Sequence, residues 1–310
     1  MFESVELLVS EYNYKLNEVC NALNINKSSY LYWKCKGKNN LNKLATFCRQ
    51  IVSAYADSKG VYGAPKIATV LKTKGISCST SNVSKIMHRL GIRSIVSKKF
   101  PHKKSNLTDK EKALIVNLIK DLEINRINQV WTTDITYIQT INEGTFYLIS
   151  FIDYFSKKVV AWGLFSDQKT DKILKVLDDA IEKRNPNHGL IIHSDKGSQM
   201  RSKPYREYLV NHNFVFSYTE LNHSCDQNAA QESFHASLKK EKLYQLKLYT
   251  YEDAFKAIYD YIEGFYNPIR VHSSIGYLSP DNFEKSISIC KAACNEGMKE
   301  KSRLKRMIKK

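Results

Sequence analysis

The chain has no long apolar run, no paired cysteine spacing and no surplus of acid, and each lack closes off a class of protein. No stretch approaches the roughly 18–20 consecutive apolar residues that a membrane-spanning helix needs. The seven cysteines, at positions 20, 35, 48, 78, 225, 290 and 294, are odd in number, scattered, and never in C-x-x-C spacing. That argues for reduced thiols, against a disulfide framework and against a structural zinc site. The first residues, M-F-E-S-V-E-L-L-V-S-E, are acidic and lack the basic start and small-residue cleavage site of a secretory signal. A cytoplasmic protein without a membrane partner is expected.

What is present is positive charge, unevenly spread. The 310 residues carry 48 Lys+Arg against 31 Asp+Glu, a net charge of +17. Residues 1–110 hold a net +13 and residues 296–310 a net +5, whereas 111–295 are close to neutral. A basic front and tail flanking a neutral middle are the footprint of a nucleic-acid binder, because each cation placed on a phosphate releases counterions. With 43% hydrophobic residues, a chain of this length can bury the cores of two or three domains.

Two short helical modules are expected at the front. Leu16, Val19, Cys20 and Leu23 recur at helical spacing, Asn24–Asn26 break the pattern, and a second amphipathic run follows from Ser28 to Trp33. This is helix-turn-helix spacing, shared by many two-helix hairpins, with Lys27 and Ser28 at the start of the second helix, where groove contacts are made. In a second unit Pro65 sits at a first helical turn, Ile67, Val70 and Leu71 give an apolar face, and Gly75 ends the helix. Ser79 then caps a helix carrying Val83, Ile86, Met87 and Leu90, stopped by Gly91. Lys66, Thr80, Asn82, Lys85 and Arg89 are the candidate DNA contacts, donors suited to phosphates and base edges. The next stretch, K-K-F-P-H-K-K-S-N, reads as a linker, and Thr108 with Glu111 fits a capping box for a helix towards Leu122. The domain boundaries read as 1–40, 41–97, a linker over 98–126, a larger domain over 127–285, and a basic tail over 286–310.

From Gln129 the texture becomes β-branched and aromatic. V-W-T-T-D-I-T-Y-I, a turn at Asn142-Glu143-Gly144, T-F-Y-L-I-S-F-I-D-Y-F and V-V-A-W-G-L-F predict three strands in an antiparallel meander. A helix over Thr170–Arg184, a strand ending near His193, a helix near Pro204–Asn211, a strand over Phe214–Tyr218 and a last helix follow. The order βββ-α-β-α-β-α describes an α/β fold: a mixed sheet with helices on its faces.

Two carboxylates stand out. Asp134 lies inside an otherwise apolar strand, where burial is costly unless the group is paired or metal-bound. Asp195 lies at the carboxyl end of the fourth strand, where ligand sites concentrate. If those strands are neighbours, Glu232, on the wet face of the helix N-A-A-Q-E-S-F-H-A-S-L-K-K-E with His235 and Lys239, meets both. Ala230, Phe234 and Leu238 form the opposite, apolar stripe. Three carboxylates without His or Cys are hard oxygen ligands, suited to Mg²⁺ or Mn²⁺, and two such ions serve phosphoryl transfer. Asp153 also lies in a strand, beside a turn, where surface or capping use is expected.

At these residues the sequence resembles the second-frame transposases of bacterial insertion sequences with two overlapping reading frames, members of the retroviral-integrase superfamily with an RNase H-like core. The resemblance is carried by W-T-T-D-I-T-Y-I (131–138), H-S-D-K-G-S-Q (193–199), the helix over 228–241, and Y-I-E-G-F-Y-N-P-I-R-V-H-S-S-I-G-Y-L-S-P (261–280). V-Y-G-A-P-K-I (61–67) and N-V-S-K-I-M-H-R-L-G-I (82–92) match the family's front domain. It implies that Asp134, Asp195 and Glu232 are an acidic triad holding two divalent ions, Mg²⁺ or Mn²⁺, and that Lys239 helps hold the element's end. It further implies a DNA transposase that frees a 3′-hydroxyl and joins it to target DNA, as a homo-oligomer on double-stranded DNA and in a possible frameshift fusion with the upstream product. An inactive DNA-binding repressor and an RNase H-type nuclease are the alternatives. Residues 196–231 are one more than is usual between the last two acids, the extra residue falling near Met200–Tyr205, and Gln227 stands where the family has Asp, with Asp226 one place earlier. The first 60 residues contain no His, so the His/Cys zinc module of retroviral integrases is not expected. Arg270 and His272 either touch DNA or tie the tail to the core.

Overall fold

The structure is a computed structural model that describes residues 1–96, 118–119, 122–195, 197–219 and 228–289, with the backbone alone for 36–42. The helix expected after Thr108, the Asp226-Gln227 pair and the basic tail from residue 290 lie outside the described residues. Met1–Ser94 and Ile95–Lys310 form two compact units. No helix among the described residues is long and apolar enough to cross a membrane.

In the first unit, α1 (Phe2–Ser10), α2 (Leu16–Ala22) and α3 (Lys27–Tyr32) close on Val5, Val19, Cys20 and Tyr30, all buried. Asn26 starts α3 by accepting the Ser28 N–H at 2.8 Å, so the polar break in the sequence is the cap of the second helix. α3 runs through a π-turn at Trp33–Gly37 into α4 (Lys38–Asp57). That helix crosses the boundary expected at residue 40. Ile51 and Ala54 of α4 are buried, as are Ile67, Ala68 and Leu71 of α5 (Ala64–Thr73) and Val83, Ile86 and Met87 of α6 (Thr80–Arg89). Ser79 caps α6 by accepting the Asn82 N–H at 3.2 Å. Gly75 and Gly91 end the two helices at φ +79° and +68°, a left-handed conformation that costs a residue with a Cβ strain. Leu90, at the end of α6, lies on the surface rather than in this core.

The second unit is built on a five-stranded sheet of β1 (Val130–Thr140), β2 (Gly144–Asp153), β3 (Val159–Phe165), β4 (Ile191–Ser194) and β5 (Val215–Tyr218), in the order β3-β2-β1-β4-β5. β1–β2 and β2–β3 are antiparallel, while β1–β4 and β4–β5 are parallel. α7 (Thr170–Arg184) and α8 (Lys203–Asn211) cover one face through Ile173, Val176, Leu177, Tyr205 and Leu209, packed on Trp131, Ile149, Phe151 and Ile192. α9 (Ala229–Glu241), α10 (Tyr251–Tyr261) and a last helix, α11, over residues 280–289 complete the unit. Thr250 and Asp253 close a capping box at the start of α10. On α10, Ala254, Ala257, Ile258 and Tyr261 are buried, and Phe255 and Tyr259 lie outside, near the Trp162 ring.

Polar anchors fix the C-terminal part to the sheet. Asn267 acts as a short extra strand against β3: its Oδ1 accepts the Val159 N–H and its Nδ2 donates to the Val159 carbonyl, both at 3.0 Å. Asp153 is fully buried, not on the surface. It caps the turn after β2 by accepting the N–H groups of Asn128, Phe155 and Ser156 at 2.6, 3.0 and 2.9 Å, and burial pushes its carboxyl above the usual range despite them. Arg270, read from sequence as a possible DNA contact, is only 8% exposed. Its Nε and Nη2 donate to Glu241 at 2.8 Å each, and Nη2 also donates to Ser237 at 3.0 Å. A guanidinium so engaged ties the closing segment to α9 and is not offered to a phosphate.

Removing one partner of a buried, hydrogen-bonded ion pair leaves an uncompensated charge. Arg270→Ala is therefore expected to destabilise this unit by about 3–5 kcal/mol in urea unfolding, whereas Arg270→Met combined with Glu241→Leu costs much less.

Candidate active site

The parallel register of β1 and β4 decides where the first two acids stand. The last paired residues are Thr133 and Ser194, so Asp134 and Asp195 are the next residue on each strand. Asp134 keeps to β1, opposite Ser150 of β2. Its Oδ1 accepts the N–H of Ile135 at 2.8 Å, and its Oδ2 lies 3.5 Å from His235 Nδ1. Asp195 leaves the sheet as β4 ends, and its Oδ1 accepts the Gly197 N–H at 3.1 Å. A Cβ on Gly197 would stand 3.2 Å from that same oxygen, so the glycine leaves the carboxylate room. Although part of Asp195 reaches solvent, loss of water around the carboxylate raises its pKa, and the negative charge of Asp134 raises it further. The two acids feel one another.

Glu232 arrives from α9, whose placement rests on the residue before it. Gln231 is fully buried; its Nε2 donates to the carbonyls of Thr132 on β1 and Ser150 on β2, at 2.7 and 3.0 Å. Its Oε1 accepts the Ser150 hydroxyl at 2.9 Å. One amide thus satisfies two carbonyls and a hydroxyl and fixes both the height and the rotation of the helix. Phe234 and Leu238 continue the same face into the core. Glu232 is exposed in the first turn of α9, where the helix dipole favours an anion. It lies one turn before His235, which reaches Asp134. His235 is buried rather than on the wet face expected for it.

Lys239 stands 4.6 Å over the ring of Tyr137. Burial lowers its pKa from the ordinary lysine value, and the charge of Asp134 partly restores it, which puts the ammonium within the field of the first acid. Among the described residues, no three His, Cys, Asp or Glu side chains gather closely enough to hold a metal ion. Lys66, Thr80, Asn82, Lys85, Arg89, Lys27 and Ser28 all belong to the first unit. Thr80, Asn82, Lys85 and Arg89 are exposed along α6, Lys27 and Ser28 are exposed at the start of α3, and Lys66 lies 5.2 Å over the Tyr62 ring.

Sequence reasoning passed over Gln231 and His235 as parts of the site. The signal for Gln231 was present: it falls on the stripe of Phe234 and Leu238, and a polar residue on an apolar stripe must find partners.

Two family profiles described as Integrase core domain match residues 125–224 and 216–280, and one described as HTH-like domain matches residues 44–100. The second unit is thus an integrase-type, RNase H-like core, the class of the polynucleotidyl transferases. The transposase for insertion sequence element IS904 of Lactococcus lactis is 35% identical over 237 residues, covering 76% of this chain and 92% of the relative. Transposase InsF for insertion sequence IS3A of Escherichia coli is 31% identical over 278 residues, covering 87% and 94%. The chain belongs to this family of insertion-sequence transposases. The HTLV-2 integrase catalytic core domain, solved in complex with magnesium, is similar at 16% identity over 50% of this chain and 95% of that chain, with a TM-score of 0.40.

A carboxylate whose pKa is raised by folding weakens the fold at every pH above its folded value and has no effect below the ordinary 3.8. Asp195→Asn is therefore expected to raise the melting temperature at neutral pH, with the gain shrinking as pH falls and gone below 3.8. A gain that stays constant with pH, or a loss, contradicts the charge coupling.

Proposed function

We propose that the chain cleaves the ends of its element and joins the freed 3′-hydroxyls to target DNA, with Asp134, Asp195 and Glu232 at the reacting phosphodiester. The observation that carries this reading is the placement of Asp134 and Asp195 one step beyond a parallel strand pair, with the charge of one raising the pKa of the other. Like charges pressed together in a cleft cost stability, and sites that use such a pair are where that cost is retained.

The donor chemistry suits a divalent cation, although in this structure the three side chains do not gather closely enough to hold one. Three carboxylates are hard oxygen ligands, and a nearby cation relieves the repulsion that raises the Asp195 pKa. Asp134, Asp195 and Glu232 would hold Mg²⁺ or Mn²⁺, two ions in the reading that the family resemblance implies. When bound, such ions supply Lewis-acid stabilisation of charge on the phosphoryl oxygens. The chain's own residues do the rest. Gln231 and the apolar stripe hold Glu232 over the sheet, His235 steadies Asp134, and Lys239 offers an ammonium to a phosphate of the element's end. In the first unit, Asn82, Lys85 and Arg89 recur at i, i+3 and i+7 on the exposed side of α6. With Thr80, Lys66, Lys27 and Ser28, they supply donors for phosphates and base edges of the terminal repeats. Two ends must be handled together, so the acting species is a homo-oligomer on DNA, with a fusion to the upstream-frame product as a further form.

A cleavage and strand-transfer assay on DNA carrying the element's ends tests this. Asp134→Asn, Asp195→Asn and Glu232→Gln are each expected to reduce both steps to background while DNA binding persists. Activity that survives Glu232→Gln, or that needs no divalent ion, overturns the reading; binding without cleavage by the unaltered chain points instead to a repressor. Lys239→Ala is expected to lower the slope of log affinity against log salt by about 1, the loss of one phosphate contact.

A further inference from the structure

Around Lys239 lies a groove of about 600 Å³ whose other lining residues the chemistry above does not use. It opens along β1 past Thr133, where pairing with β4 ends, and is closed on the other side by the segment following α9. Tyr137, Ile141, Lys239, Tyr244, Leu246 and Lys247 are among its lining residues, none of which is acidic. Tyr137 and Tyr244 are 61% and 59% exposed, and Ile141 and Leu246 are 61% and 45% exposed. Large apolar side chains left open together in this way mark a binding surface.

We propose that this groove receives an unpaired nucleotide of the DNA strand whose phosphodiester lies at the acids, with its base stacked on Tyr137 or Tyr244 and its phosphate against Lys239 and Lys247. The proposal rests on the transposase reading and adds to it a site for melted DNA. Open aromatic rings between lysines are the chemistry of single-strand recognition: every base has a face to stack, and the cations follow the backbone. A volume of this size suits a nucleotide-sized ligand and not a duplex. The lack of a carboxylate among the described lining residues suits a polyanion. Lys239 supplies continuity, since it touches the Tyr137 ring on one side and lies in the field of Asp134 on the other. A strand engaged at the acids passes Lys239 to enter the groove.

The test is fluorescence anisotropy of the full chain with two labelled DNAs of one sequence, a blunt duplex and a duplex whose terminal base pairs are mismatched into a fork. The unaltered chain is expected to hold the fork more tightly. Tyr137→Ala with Tyr244→Ala should lower fork affinity by roughly ten-fold or more and leave blunt-duplex affinity in place. Tyr137→Phe with Tyr244→Phe should keep the fork preference, because the rings still stack. A fork preference that survives loss of both rings, or that the unaltered chain never shows while it binds the blunt duplex, overturns the groove and leaves the transposase reading standing. Failure of the unaltered chain to bind either DNA overturns both. If the alanine changes alter the oligomeric state and leave fork affinity unchanged, the groove receives a second copy of the chain and the proposal is wrong.

Discussion

The amide of Gln231 is the contact on which the site's geometry depends. It lies at 0% exposure between two strands and a helix, donating to the carbonyls of Thr132 and Ser150 and accepting from the Ser150 hydroxyl. An apolar stripe such as Phe234 and Leu238 holds a helix against a sheet but tolerates small rotations, because dispersion and burial have little direction. A buried amide does not, since any rotation strands its donors or the carbonyls they serve. Glu232 is the next residue, so its aim is set within the tolerance of a hydrogen bond. The far end of the same helix is held by the Glu241–Arg270 pair, with the Tyr261 hydroxyl donating to Glu241 at 2.7 Å. α9 is thus pinned at both ends by polar groups and filled between them by apolar ones.

Against this rigid frame, the acids are kept in an arrangement the fold would not choose for stability. Burial raises the proton affinity of Asp195 and the charge of Asp134 raises it further, through a register set by the backbone ladder, not by the carboxylates. Such cost persists where surrounding structure over-determines it, which is the ordinary condition of a catalytic site. Asp153 shows the contrast: it is more deeply buried than either, yet three backbone N–H groups and Arg184 answer its charge. One acid is satisfied and structural; the other two face one another.

Much of this was legible in the residues. The three-strand meander, the helix at Thr170–Arg184, the cap at Ser79 and the glycine stops at Gly75 and Gly91 each follow from local rules of spacing and turn chemistry, and the structure repeats them. What could not be read came from partners distant in sequence. Arg270 looks like any exposed cation until Glu241 and Ser237 are found beside it. His235 shares a helical face with Glu232, which marks it as wet, yet contact with Asp134 and Ser150 buries it. α4 went unread, since nothing in its polar opening marks a helix start.

The sequence alone determined the division into a basic helical front and an α/β core, the family, and three acids as candidates for the site, because charge distribution, periodicity and motif order are local properties of the chain. The tertiary structure decided that Asp134 and Asp195 stand on adjacent parallel strands. It also decided that Arg270 serves the fold, and that Lys239 joins the acids to an open aromatic groove. Those pairings join groups far apart in the chain, by 29 residues for Arg270–Glu241 and 99 for Gln231–Thr132, and no local pattern encodes which distant group a buried polar atom will meet.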